Sequence, residues 1–267
     1  MNVDKNTKLL FFDIDGTLIT DDNDRILPES TVRAIRTTRE KGNLAFINTG
    51  RVFCNVDPFI RDIGFDGYVC GCGGYIRMGE EILYYKKYPQ DLCRKLAYMC
   101  RETDLVAIFE HSEKTCYDKT MDSPFRDKIV GYFSENCRQL IDDIDSPDFS
   151  FDKFAGWISP KTDLVTFKKN IDPYFDYIDR EGNFCEMEPK GHSKATGIKF
   201  LLEYFSLPLS NAYVFGDGNN DLEMMGFVPN SICMGGGSDL ALQRASYITD
   251  SVTGNGIEKA MKHFGLL

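Results

Sequence analysis

What this chain of 267 residues has little of already narrows its chemistry. It has three histidines, His111, His192 and His263, far apart and without H-x-x-x-H or H-E-x-x-H spacing, which excludes a histidine-held zinc centre of the metalloprotease kind. No C-x-x-C pair occurs among the nine cysteines, an odd number, so the sequence carries neither a zinc-ribbon pattern nor a disulfide framework. Cys70 and Cys72 in VCGCGG lack a second pair or a nearby histidine and read as packing. Free thiols in a reducing compartment are the expectation. Positive charge is also short: 31 Lys and Arg stand against 41 Asp and Glu, a net −10, so no general attraction to nucleic acid or to an anionic membrane is expected. No apolar run approaches the ~20 residues of a membrane span. The polar start MNVDKNTK lacks the apolar core of a secretory signal, and a cytoplasmic enzyme is expected. Internal repeats and low-complexity tracts are absent as well.

Against these absences stands residues 9–17, LLFFDIDGT, around which the rest of the chain is organised. Leu9, Leu10, Phe11 and Phe12 have the length and composition of a strand buried on both faces of a parallel sheet. Side chains alternate along such a strand, so Asp13 and Asp15 leave its end on one side while Ile14 turns inward. Two carboxylates that close do not both stay ionised without help, and the site calls for a divalent cation or for one carboxyl group to hold a proton. Gly16 permits a tight departure of the backbone, and Thr17 brings a hydroxyl or an amide to the same corner.

The same pattern recurs downstream. ESTVRAIRTTREKG predicts a helix closed by Gly42, and Leu44 to Asn48 predicts a second buried strand ending in Asn48, Thr49, Gly50 and Arg51. Two strand ends with polar residues across a β-α-β unit match an open parallel sheet with its site outside the carboxyl ends. Residues 52–66 predict a further helix, and a third strand with a hairpin around Gly79 follows. From about Leu83 the character changes to a mixed α/β module of about 100 residues. In it Pro89 opens a helix, and LVAIFEH, KTCYDK, GWIS and LVTFKK read as strand-like. Tyr117 and Trp157 within it read as core packing. The first pattern then returns: KGHSKATGIKFLLEYF predicts a helix with Ser193 as N-cap and Lys194 in its first turn, where the helix dipole disfavours a cation. Ala212 to Phe215 predicts a fourth strand, followed by Gly216, Asp217, Gly218, Asn219, Asn220 and Asp221. An EF-hand would need an acidic residue at 228, which is Val228. Ser231 to Met234 and Tyr247 to Thr249 complete the expected strands.

Collected at one rim of a sheet, two aspartates, a threonine, a lysine and an aspartate-rich loop suit phosphoryl transfer, in which a carboxylate attacks phosphorus and a second moves protons. In this arrangement the chain resembles the haloacid dehalogenase superfamily, in particular its Cof-like phosphatases with a C2B-type cap. DIDGT at residues 13–17 is similar to the family's first motif, NTGR at 48–51 to its second, Lys194 to its third and GDGNND at 216–221 to its fourth. The resemblance covers nearly the whole length. It implies an α/β fold with a Rossmann-like parallel-sheet core at 1–83 and 187–267 and an inserted mixed α/β cap at 84–186. It further implies Asp13 as nucleophile and Mg2+ ligand, Asp15 as general acid/base with its carbonyl on Mg2+, and Asp217 as the remaining ligand. Thr49, Gly50 and Lys194 would hold the phosphoryl oxygens, Asn220 would touch substrate or phosphate, and Asp221 would orient Lys194 or a metal-bound water.

Two departures from the family pattern stand out: Asn48 where Ala is commoner, expected to matter little, and Gly236-Gly237 where an Asn-Ala pair is common, so a phosphate or cap contact there is not among the expectations. The expected activity is Mg2+-dependent hydrolysis of a small phosphorylated metabolite such as a sugar phosphate, through an aspartyl-phosphate. A phosphosugar mutase of the same superfamily and a phospholigand-binding protein without turnover are the alternatives, and a response-regulator-like module fits less well because it lacks a D-x-D pair and a cap.

Overall fold

Leu9, Leu10, Phe11 and Phe12 are wholly buried. A segment with no polar face is stable only inside a sheet covered on both sides, and β1 (Leu9–Phe12) is the centre of one. The structure, a computed structural model, describes residues 3–121, 140–180 and 182–267. After β1, α1 (Glu29–Glu40) ends before Gly42, which takes φ +88°, and β2 (Leu44–Asn48) returns parallel to β1 with Leu44 opposite Leu9 and Ile47 opposite Phe12. Residues 52–66 do not form the single helix expected. They give a three-residue turn and the short helix α2 (Pro58–Arg61), because Pro58 bars the helical conformation before it and Arg51 holds Asp57 at 2.9 Å. β3 (Gly67–Cys70) joins β2 in parallel, β4 (Tyr75–Met78) turns back antiparallel, and β5 (Glu81–Tyr85) follows the turn at Gly79.

The chain then builds a second sheet. α3 (Gln90–Glu102) sets out from Pro89. It is followed by β6 (Val106–Glu110), β7 (Thr115–Tyr117), β8 (Leu140–Asp143), β9 (Lys153–Trp157), α4 (Leu164–Ile171), β10 (Phe175–Asp179) and β11 (Phe184–Pro189). The strand order is β10-β11-β9-β6-β7-β8, with β7 and β8 parallel. Phe109, Phe151, Phe154 and Phe175 on the sheet and its loops pack with Leu96 of α3 and Phe167 of α4 in one core. Tyr117 and Trp157 pack against Ile108 and Ala155. LVTFKK, expected as strand, is the start of α4: Asp163 accepts the Thr166 N–H at 3.1 Å as N-cap, and the buried residues Phe167 and Ile171 recur four apart. The return to the first sheet comes later than 187. Met187 stands opposite both Phe154 and Tyr177, so β11 is wholly part of the second sheet.

From Lys194 the first sheet resumes with α5 (Lys194–Phe205), β12 (Ala212–Gly216), α6 (Leu222–Phe227), β13 (Asn230–Cys233), α7 (Asp239–Arg244), β14 (Tyr247–Ile248) and α8 (Gly256–His263). β12 pairs parallel with the free side of β1, and the full order is β14-β13-β12-β1-β2-β3-β4-β5. Ile198, Leu201 and Leu202 of α5 pack on Leu9, Phe11 and Phe46, the side chains of one sheet face. By contacts the chain divides into one unit of Met1–Gly50, Pro58–Tyr84 and His192–Leu267, and another of Arg51–Asp57 and Tyr85–Gly191. The eight described cysteines are buried and form no disulfide; Cys137 lies outside the described residues. Among the described residues, no helix is long and apolar enough to cross a membrane.

Candidate active site

The succession from β1 to β2 on one side and to β12 on the other makes β1 the switch point of the first sheet, where an open α/β sheet leaves a crevice beyond its carboxyl ends. Asp13 and Asp217 are the residues that follow β1 and β12 there. The Asp13 N–H donates to Phe215 O at 3.0 Å, which fixes the two strand ends side by side. Gly16 takes φ +71°, and a Cβ on it would run into the Asp217 carboxylate, so only glycine lets the turn after β1 pass this close. The Thr17 hydroxyl donates to Asp217 Oδ1 at 2.8 Å and fastens that turn.

Lys194 comes from the first turn of α5. Ser193 caps α5 by accepting the Thr196 N–H, and the Thr196 hydroxyl accepts the Ser193 N–H at 3.0 Å. This leaves Lys194 in the first turn and 2% exposed. Its ammonium lies 2.8 Å from Asp13 Oδ2 and donates to Asp221 Oδ1 at 2.6 Å. A cation at the positive end of a helix is unfavourable, and these two carboxylates offset it. Asp221 is wholly buried; its Oδ2 accepts the N–H groups of Asp217 and Gly218 at 2.9 and 3.0 Å. One carboxylate thus sets both the lysine and the loop that carries Asp217. The Asn220 amide reaches to 3.5 Å from Asp13 Oδ2.

The charges do not balance. Burial pushes the Asp13 carboxyl up to about 6 against the pull of Lys194, with Asp221 adding to the rise. Burial, then Asp13, push Asp217 up to about 7. Burial by itself would lower the Lys194 ammonium, but Asp13 and Asp221 outweigh it and its pKa is raised. Oxygens of Asp13, Asp217 and Asp221 lie within 4.8 Å of one another. Hard oxygen donors that repel one another fit Mg2+. Both oxygens of Asp221 already accept hydrogen bonds, so Asp13 and Asp217 are the side chains best suited to hold it.

Of the residues singled out from sequence, Asp13, Lys194, Asp217, Asn220 and Asp221 are joined by these contacts. Asp15 is half-buried in the turn after Asp13 and bridges to Ile19. Thr49 is buried at the end of β2; its N–H donates to Val69 O at 2.9 Å and its carbonyl accepts the Cys72 N–H at 3.2 Å. Gly50 follows it, and a Cβ there would meet Cys72 Sγ at 3.4 Å, an ordinary contact. His192, the one histidine beside a motif, is bound to the Tyr84 hydroxyl at 2.8 Å. Two supports escaped the sequence reading. Ser238 N–H donates to the Asp217 carbonyl at 2.8 Å, and a Cβ on Gly237 would strike that carbonyl, so glycine at 237 leaves room for Ser238 to hold the Asp217 loop. Asn48 is wholly buried and its amide donates to Lys194 O at 3.2 Å, so this departure does touch the site. Its polarity at the end of an otherwise apolar strand was the signal.

A family model of haloacid dehalogenase-like hydrolases matches residues 10–261. YkrA of Bacillus subtilis (strain 168), named as a candidate phosphatase, is 27% identical over 98% of this chain and 99% of its own length. YitU of the same organism, a 5-amino-6-(5-phospho-D-ribitylamino)uracil phosphatase, is 21% identical over 96% of this chain and 97% of its own. Among solved structures, the HAD subclass IIB sugar phosphatase BT4131 is similar with a TM-score of 0.78 and 26% identity, covering 98% of this chain and 100% of that one.

Proposed function

The chain belongs to the haloacid dehalogenase-like hydrolases, as a Cof-like phosphatase, and from that premise we propose that it is a Mg2+-dependent phosphomonoesterase acting through an aspartyl-phosphate on Asp13. The observation that carries the proposal is the Asp13 carboxylate held 2.8 Å from a buried lysine and next to Asp217, a nucleophile with positive charge fixed beside it. In the first half-reaction an Asp13 oxygen bonds to phosphorus as the ester P–O bond breaks, and Asp15 gives its proton to the departing oxygen. In the second, Asp15 takes a proton from water as that water attacks phosphorus, and phosphate leaves with Asp13 restored. Lys194 and Thr49, with the Gly50 backbone, hold the transferring oxygens; Asn220 contacts substrate; Asp221 keeps the Lys194 ammonium in place. Asp13, Asp217 and the Asp15 carbonyl would hold Mg2+, which when bound offsets the negative charge of phosphoryl group and carboxylates.

For substrate we propose a phosphate ester on a polyhydroxylated carbon chain, such as a sugar phosphate. That chemistry is shared by the names of two similar proteins, a sugar phosphatase and a phosphoribitylamino-uracil phosphatase. The unit of Arg51–Asp57 and Tyr85–Gly191 is assigned the role of the cap that selects it. The buried cysteine thiols fit the reducing cytoplasm as its compartment.

Phosphate release from a panel of phosphorylated metabolites, with and without Mg2+, tests the proposal against Asp13→Asn. Release that needs Mg2+ and falls by about a thousandfold or more in the variant is expected. Equal release by the variant would exclude Asp13 as nucleophile.

A further inference from the structure

Asn48 presents an arrangement that stability alone does not explain. It is the last residue of β2, 0% exposed, and its Oδ1 has no hydrogen-bond partner. An orphaned buried acceptor is a net cost to stability, whereas an apolar side chain of similar size at the same place would carry no such penalty. Its Nδ2 donates to the Lys194 carbonyl at 3.2 Å and lies 3.5 Å from Met224 Sδ. The Lys194 carbonyl has its own helical partner four residues on, so it does not need this bond to be satisfied. The carbonyl gains no partner it lacked; what the bond fixes is position.

The surroundings agree. α5 already approaches the sheet as closely as glycine allows: a Cβ on Gly197 would overlap the Val69 side chain, and one on Gly73 would strike the Ser193 carbonyl. Those contacts set how near the helix lies, but packed methyl groups and glycines resist sliding along the helix axis only weakly. A hydrogen bond from the end of β2 onto the first-turn carbonyl of α5 removes that freedom. β2 stands beside β1 in fixed register, so the bond references Lys194 to the strand that carries Asp13.

We propose that Asn48 is the positioning residue of Lys194: it holds the first turn of α5 so that the ammonium stays between Asp13 and Asp221. The inference rests on the phosphatase reading above and deepens it. Misplacement of a reacting group by a fraction of an ångström to 1 Å is enough to lower turnover by about 10- to 100-fold.

The test uses Asn48→Ala and Asn48→Leu, the second refilling the volume without the amide. Two readouts are taken at a temperature well below the unfolding midpoint: the dissociation constant of orthovanadate in the presence of Mg2+, by calorimetry, and kcat and KM for p-nitrophenyl phosphate. Both variants are expected to bind vanadate about 10- to 100-fold more weakly and to lose kcat by a similar factor, with KM changed less than about threefold. Their unfolding midpoints are expected to stay level or, for Asn48→Leu, to rise. A Leu variant that binds vanadate and turns over as the parent does overturns the proposal, because volume alone then suffices. So does a loss in KM without a loss in kcat. If the parent binds vanadate but releases no phosphate, the phosphatase reading fails while the vanadate comparison still decides the role of Asn48.

Discussion

Among the described residues each unit of this protein buries a lysine between two carboxylates, and the two clusters differ in how their charge is matched. Lys194 stands between Asp13 and Asp221 at the rim of the first sheet; Lys153, also 2% exposed, lies 3.4 Å from Glu186 and 3.9 Å from Glu110 within the second. In the second sheet the pair is closed by further partners. Arg180 donates twice to Glu186 at 2.9 and 2.7 Å, and the Asn55 amide donates to Glu110 at 2.8 Å. Lys153, then Arg180, hold Glu186 down to about 2 against its burial, although burial still raises Glu110. At the first site a third carboxylate, Asp217, joins with no second cation shown among the described residues, and Asp13 and Asp217 both go up. The second cluster sets two cations beside Glu186; the first, the proposed catalytic one, leaves room for one more.

The sharpest way to break this comparison is to remove each lysine in turn. Lys194→Met should lose about 100- to 1000-fold in kcat, the usual loss when a group that stabilises developing charge is deleted. Lys153→Met should instead lower stability by about 3 kcal/mol, read from the unfolding midpoint in urea, because Glu110 is left buried without its counter-charge. An unchanged midpoint in Lys153→Met would end the claim that the second cluster is structural.

Mg2+ gives a smaller and more selective effect. At a hundredfold excess over its dissociation constant it should stabilise the protein by about 2.7 kcal/mol, reversed by EDTA. Asp217→Asn should lose most of that gain and Glu186→Gln none of it. Equal Mg2+ shifts in both variants would mean that the cation does not distinguish the two clusters.

The smallest expected effect is on pH dependence. Glu186 has a folded pKa depressed to about 2 from 4.5, so its contribution is present above about 4.5 and lost as pH falls toward 2. Asp152, which accepts from the Tyr85 hydroxyl at 2.9 Å, is pushed up by burial to about 7, so its carboxyl favours the folded state at low pH and that benefit is lost as pH rises from about 4 to 7. Chemical denaturation across pH 2–8 should therefore show Glu186→Gln flattening the acid limb and Asp152→Asn flattening the slope toward neutrality.

Much of the first unit was legible in the sequence because its signals are local. Four apolar residues followed by D-x-D-G specify a buried strand and its turn, Ser193 specifies a cap, and GDGNND specifies a loop after a strand. The second unit was read less well. LVTFKK has a pattern that suits a short strand as well as a helix, and only the Asp163 cap with Phe167 and Ile171 packed beneath settles it as helix. Glu186 to Pro189 precedes a helix of the first unit, yet its ladder partners belong to the second sheet; pairing is a long-range property that a run of residues does not display.

What the sequence determined by itself was the inventory: the family, the strand-end carboxylates, the lysine in a helical first turn and the absence of other metal-binding patterns, all properties of neighbouring residues in the chain. What only the tertiary structure decided was who holds whom. The Asp221 carboxylate divides itself between Lys194 and two loop amides, the Ser238 N–H donates to the Asp217 carbonyl past Gly237, and Asn48 reaches the Lys194 carbonyl across 146 positions of sequence. Hydrogen bonds and charges act over a few ångströms of space, and distance in space is set by strand order and helix packing, which no local pattern encodes.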